Sequence, residues 1–244
     1  MKQALYYVSG RISAALRIFF PVAIKAESLR PVYAAVMAAC LLLGACSKSR
    51  IRGEGATISD TRTLPSFSAI DANGSSRVNI VRDSVYKVIV TGYQNLVPVY
   101  ETQVSAGRLS LQFQDRYHNI RNDNIVVEVH MPAVTEVLLN GSGDIAVAPG
   151  FTGTFLGRIN GSGNMRLSGG AFSTATYYIN GSGNINALDA TADTAYATIS
   201  GSGNIDLAVR DYLYAKISGS GDITYSGNPV TQVDVSGSGK VRKQ

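Results

Sequence analysis

The chain has 244 residues and a formal charge of +5, of which residues 1–46 hold +4 through Lys2, Arg11, Arg17, Lys25 and Arg30 against Glu27. The remainder is nearly neutral, which removes the electrostatic case for nucleic acid as a partner. Both cysteines, Cys40 and Cys46, fall in that leader, so neither a disulfide framework nor a thiolate metal site is expected beyond it.

The first feature in chain order is Pro31 to Ala45, an uncharged apolar run preceded by Lys25 and Arg30. Membrane-spanning helices need about 20 apolar residues, and this run falls short, so it reads as the core of a secretory signal. It closes on Leu43-Gly44-Ala45-Cys46, which resembles the lipobox of bacterial lipoproteins. Residues 1–46 are therefore expected to be a lipoprotein signal peptide, with Cys46 as the lipidated residue. Ser47 follows rather than an aspartate, as in lipoproteins sorted to the outer membrane. The basic SKSRIRGEG lacks an acidic surface-export cluster, which favours a periplasm-facing position. Residues 47–60 show no periodicity and are expected to form a flexible tether.

From about Phe67 the sequence alternates apolar and polar residues, the pattern of half-buried strands. Lys87–Val90, Arg108–Phe113 and Ile125–Val129 are expected strands, and Asn73-Gly74-Ser75-Ser76 reads as a degenerate copy of the Gly-Ser-Gly units downstream. Residues 61–132 are expected to supply irregular rungs and 133–244 regular ones, all within one domain spanning 61–244.

The regular part is a repeat. Gly-Ser-Gly opens at Gly141, Gly161, Gly181, Gly201, Gly219 and Gly237, and closes at Gly143, Gly163, Gly183, Gly203, Gly221 and Gly239. The openings are 20, 20, 20, 18 and 18 residues apart. A unit so short cannot close its own apolar face, but stacked units share one core, about 4.8 Å per layer. The expected fold is all-β, a single-domain parallel β-helix (β-solenoid) with rungs of about 18–20 residues, right-handed in preference because no six-residue sub-period appears. The glycines are expected to give a tight corner with positive φ and to let rungs stack without colliding β-carbons. Asp144, Asn164, Asn184, Asn204 and Asp222 would then form a polar ladder, with Lys240 beyond them. Stacked amides can bond along such a column, whereas adjacent carboxylates would repel.

The iterated Gly-Ser-Gly-Asp/Asn-Ile, the Phe67-Ser68-Ala69-Ile70 and Val129-His130-Met131-Pro132 segments, and Asp222 to Pro229 together resemble the head GIN domain family, from Leu64 to Val241. The resemblance implies a β-helix of parallel strands in bacterial lipoproteins described as auto-transporter adhesins. It brings no catalytic residues. This chain departs from the family in carrying Asn at 164, 184 and 204, where Asp is common.

The chemistry-bearing residues point away from catalysis. Calcium-binding glycine repeats have half this period and need more carboxylates than these amides supply. Asp189, Asp193, Asp206 and Asp211 are the densest acids, but they occupy unlike positions in their units and read as solvated turn residues. His118 lies in a polar loop, and both it and His130 read as surface residues. The sequons at Asn73, Asn140, Asn160 and Asn180 are by-products of the corner sequence. Tyr177, Tyr178, Tyr196, Tyr212, Tyr214 and Tyr225 recur in the repeats, as core packing or as an aromatic strip for a glycan or protein. The expectation is a non-enzymatic, lipid-anchored envelope protein, an adhesin or binding module, needing neither metal nor cofactor. Its partners are the bilayer, through the acylated cysteine, and a glycan or protein ligand; oligomers are allowed for. A polysaccharide-processing enzyme and a purely structural envelope assembly protein are the alternatives.

Overall fold

The computed structural model describes residues 49–244; the segment expected to be a signal peptide and Cys46, the expected lipidation site, lie outside them. Its early strands are β1 (Ser49–Arg52), β2 (Thr57–Thr63), β3 (Ala69–Gly74), β4 (Arg77–Arg82), β5 (Lys87–Tyr93), β6 (Tyr100–Ser105), β7 (Arg108–Phe113), β8 (Tyr117–Arg121) and β9 (Val126–Met131). The repeats continue as β10 (Glu136–Gly141), β11 (Asp144–Val147), β12 (Thr152–Gly161), β13 (Asn164–Leu167), β14 (Gly170–Gly181), β15 (Asn184–Gly201), β16 (Asn204–Gly219), β17 (Ile223–Ser226), β18 (Val230–Gly237) and β19 (Val241–Lys243). The chain is a β-solenoid of stacked parallel coils.

Each regular rung is a strand, a Gly-Ser-Gly corner and a second strand. Pre-corner strands stack in parallel as β10, β12, β14, the second half of β15, β16 and β18. Post-corner strands stack beside them, from β11 and β13 to β17 and β19. Register is kept by the alternation itself, because a one-residue slip would turn every core side chain outward. Ile159, Ile179 and Ile199 consequently sit directly over one another, each at most 2% exposed. Such burial stabilises by about 1.5–3 kcal/mol per aliphatic side chain. In the neighbouring column Gly157, Tyr177 and Ala197 are stacked, and the two small residues make room for the buried Tyr177 ring.

Rungs are not stacked wholly in chain order. β3 and β4 pair with β10 and β11 on one side, with Asn73 opposite Asn140 and Gly74 opposite Gly141. On the other side they pair in parallel with β7 and β9. Residues 69–82, expected among the irregular rungs, thus form a full member of the stack. The intervening chain instead builds a cap. β5 runs antiparallel to β2 and β9, and β6 antiparallel to β7, closing that end over Val88, Val90, Leu96, Tyr100 and Leu109.

Two expectations need correction here. Within the segment expected to be a flexible tether, Ser49–Arg52 pairs with β8 and β2 begins at Thr57. β1 packs only Ile51 against the core and β2 is exposed nearly throughout, so periodicity could not reveal either. His118, expected in a loop, lies in β8. At the opposite end every residue of β18 is exposed, including Val233 and Val235, which continue buried columns.

Candidate functional site

The corners show why two glycines recur. The first glycine of each has a φ between 125° and 139°, from Gly141 to Gly237. Its carbonyl accepts two N–H groups from the rung above: Gly141 O takes Ser162 N at 3.0 Å and Gly163 N at 3.1 Å, and the same pair of bonds recurs up the stack. That carbonyl points into the space a β-carbon would need on the first glycine of the next unit, and the carbonyl of the second position does the same to the second glycine, as Gly143 does to Gly163. The second glycine lacks a positive φ, so steric room alone demands it. Gly74 has open space around the missing β-carbon and needs glycine only for its φ of 109°. Ser76 stands where later units carry the second glycine. No corner lies beneath it, and its hydroxyl donates to Asp123 at 3.3 Å.

The ladder residues are brought together along the outer edge of the post-corner sheet. Asn164 donates its amide to Asp144 at 2.9 Å, Asn184 to Asn164 at 3.0 Å and Asn204 to Asn184 at 3.0 Å. All donors point the same way, so the final position needs only an acceptor, and Asp144 fills it. At the other end Asn204 accepts the Asp222 backbone N–H at 3.0 Å. The Asp222 carboxylate in turn takes the Lys240 N–H and the Arg242 guanidinium. A shorter ladder precedes the corner, running Asn160 to Asn140 to Asn73, each bond 2.9 Å.

The outer face of the pre-corner sheet carries four of the six repeat tyrosines. Tyr177 is buried and burial raises its hydroxyl pKa, while Tyr225 packs against the core. Tyr178, Tyr196, Tyr212 and Tyr214 point outward on three successive rungs. Tyr196 is 41% exposed, with ring centroids 6.3 Å from Tyr212 and 6.4 Å from Tyr214. Arg158 lies over the Tyr178 ring at 4.9 Å, a contact not foreseen although the 20-residue spacing aligns the two. A hollow of about 340 Å³ beside them is lined by Arg158, Asn160, Tyr178, Asn180, Thr198 and Ser200.

Titratable groups are dispersed. Asp189 is held by Arg166 at 3.0 Å and Asp193 by Arg210, so the acid group of the repeats does not converge. His118 is exposed, but His130 corrects the surface reading: its ring is 12% exposed and lies between Asp83 at 2.9 Å and Glu128 at 2.6 Å. The hydrogen bond with His130 holds the Asp83 carboxyl below its ordinary range, helped by the Ser84 N–H. Among the described residues no three His, Cys, Asp or Glu side chains gather as a metal site.

Residues 66–229 match the family described as "Putative auto-transporter adhesin, head GIN domain". The chain belongs to the head GIN domain family. The fold of this head GIN domain is shared by solved structures. A "putative adhesin" from Bacteroides fragilis is 20% identical with a TM-score of 0.61, covering 80% of this chain and 100% of its own. A "putative lipid binding protein" from Parabacteroides distasonis is 22% identical with a TM-score of 0.51 and the same coverage. None of the curated proteins compared with the chain matches it.

Proposed function

We propose that this head GIN domain is a non-enzymatic binding module of the adhesin kind in the bacterial cell envelope, gripping a glycan or protein surface through its tyrosine face. One observation carries the reading: Tyr178, Tyr196, Tyr212 and Tyr214 stand outward together on a sheet whose other side is locked into the core. Tyrosine offers large amphipathic contact area with few rotors to freeze, and a rigid sheet presents it already ordered. The adhesin names of the fold relatives and the dispersal of the acids support the same reading. We extend it to the leader: Cys46 carries the lipid, and the domain stands on the outer membrane facing the periplasm.

The test is capture from envelope extracts and glycan arrays by the lipid-free compact unit, with Tyr196→Ala/Tyr214→Ala as its partner sample. A ligand held by the parent and released by the variant supports the reading. Equal retention by both, or none by either, opposes it. For the anchor, Cys46→Ser should abolish labelling by radioactive palmitate and release the protein from membranes.

A further inference from the structure

The post-corner sheet carries a second feature, on a different surface from the tyrosines. Ala146 is paired with Asn79 on one side and Arg166 on the other, and two residues back in the strands, on the same face, lie Arg77, Asp144 and Asn164. The small alanine side chain between longer neighbours leaves a groove of about 300 Å³, lined by these residues and continued past Asn184 and Asn186. That volume lies at the lower end for small-ligand sites, with room for a sugar ring or two.

The groove's charges are incompletely answered. Arg77 is exposed and, among the described residues, has no carboxylate within ion-pair distance. Arg166 gives one nitrogen to Asp189, leaving the rest of its fork free. Asp144 accepts from Asn164 through one oxygen and, among the described residues, has no cation within ion-pair distance. A complementary ligand therefore brings a carboxylate for the guanidinium groups and hydroxyl donors for Asp144 and the amide oxygens. Inorganic phosphate supplies the charge without an array of hydroxyls. A nucleotide base finds no aromatic side chain in the lining. A sugar acid has both groups on one ring.

We infer that the groove over Ala146 binds a uronic acid residue of an acidic polysaccharide. The ladder gives the site its rigidity: Asp144 and Asn164 are fixed by the bond they share, and Asn184 fixes Asn164 in turn. The inference does not depend on the tyrosine face, and variants on the two surfaces separate them.

The experiment is calorimetric titration of the full chain in detergent with trigalacturonate and with its carboxyl-reduced, neutral counterpart. We expect the acid to bind about tenfold or more tightly than the neutral trisaccharide, with affinity falling as salt rises. Arg77→Gln should weaken it about tenfold, and Ala146→Phe, which fills the groove from an outward position, should abolish it. Unchanged melting temperatures would show both variants folded, and Tyr196→Ala should bind as the parent does. Equal affinity for acid and neutral sugar, no binding of either, or full binding by folded Ala146→Phe overturns the inference. So does loss in Tyr196→Ala with retention in Arg77→Gln, which would place the ligand on the tyrosine face.

Discussion

Arg108 and Glu136 lie two strands apart, yet the guanidinium of one donates to the carboxylate of the other at 2.6 Å. Ala69, between them, is too small to obstruct the reach. A second donor goes to Asp71 at 2.6 Å, so one cap residue is tied to the next two rungs of the stack. The two carboxylates, Glu136 foremost, push the Arg108 pKa up.

Arg108→Ala should therefore loosen the cap rather than the repeats. The groups are partly solvated, so the loss is about 1 kcal/mol. Amide exchange checks it: β7 should lose protection while β14 and β15 keep theirs.

The corners predict unequal costs for one substitution. Gly163→Ala drives a β-carbon against the Gly143 carbonyl and the Leu139 side chain, for a loss of about 3 kcal/mol. Gly74→Ala meets open space and costs about 1 kcal/mol, from its backbone conformation alone. Urea midpoints of the two variants should rank in that order.

Asn164→Asp would set a carboxylate on the rung next to Asp144 and remove the amide that bonds it. Two adjacent ionised groups repel, so stability should fall by about 1 kcal/mol at neutral pH. Most of that should return near pH ~3 as the pair takes up a proton. The measurement is the urea midpoint of variant and parent across the range.

Asp83 supplies a second pH dependence. Its folded pKa lies below the ordinary 3.8, chiefly through the His130 hydrogen bond. A depressed carboxyl contributes stability that is whole above the unfolded value and lost as pH falls through the folded one. Asp83→Asn should thus lower the thermal midpoint at pH ~6, and the difference from the parent should shrink as pH falls below the ordinary carboxyl range.

The repeat was legible because its constraints are local. Positive φ, absent β-carbons and strict alternation each leave a mark on the residues that bear them, as at Gly161, Gly163 and Ile159. The out-of-order rung left a weaker mark. Asn73-Gly74-Ser75-Ser76 resembles a unit, but Ser76 departs from the pattern for a reason visible only once its lower neighbour is known. The antiparallel cap, and β1 and β2 beside it, depend on pairings across long stretches of chain that no local period records. Tyrosines at alternating positions could be sorted into core and surface only by the register: Tyr177 beneath Ala197, Tyr178 beneath Thr198. Ala146 matters for what it lacks, and a missing side chain gives no signal until its neighbours are placed.

The one-sided demand of the corner has an evolutionary corollary. A new layer must itself carry glycines to settle on the layer below, but the layer below need not change to receive it, as Ser76 and Gly143 demonstrate. Duplication or excision of a single unit, such as residues 160–179, should leave every remaining layer seated. The lineage can thus adjust how far its sheet faces extend in whole steps of about 4.8 Å without redesigning what already stands.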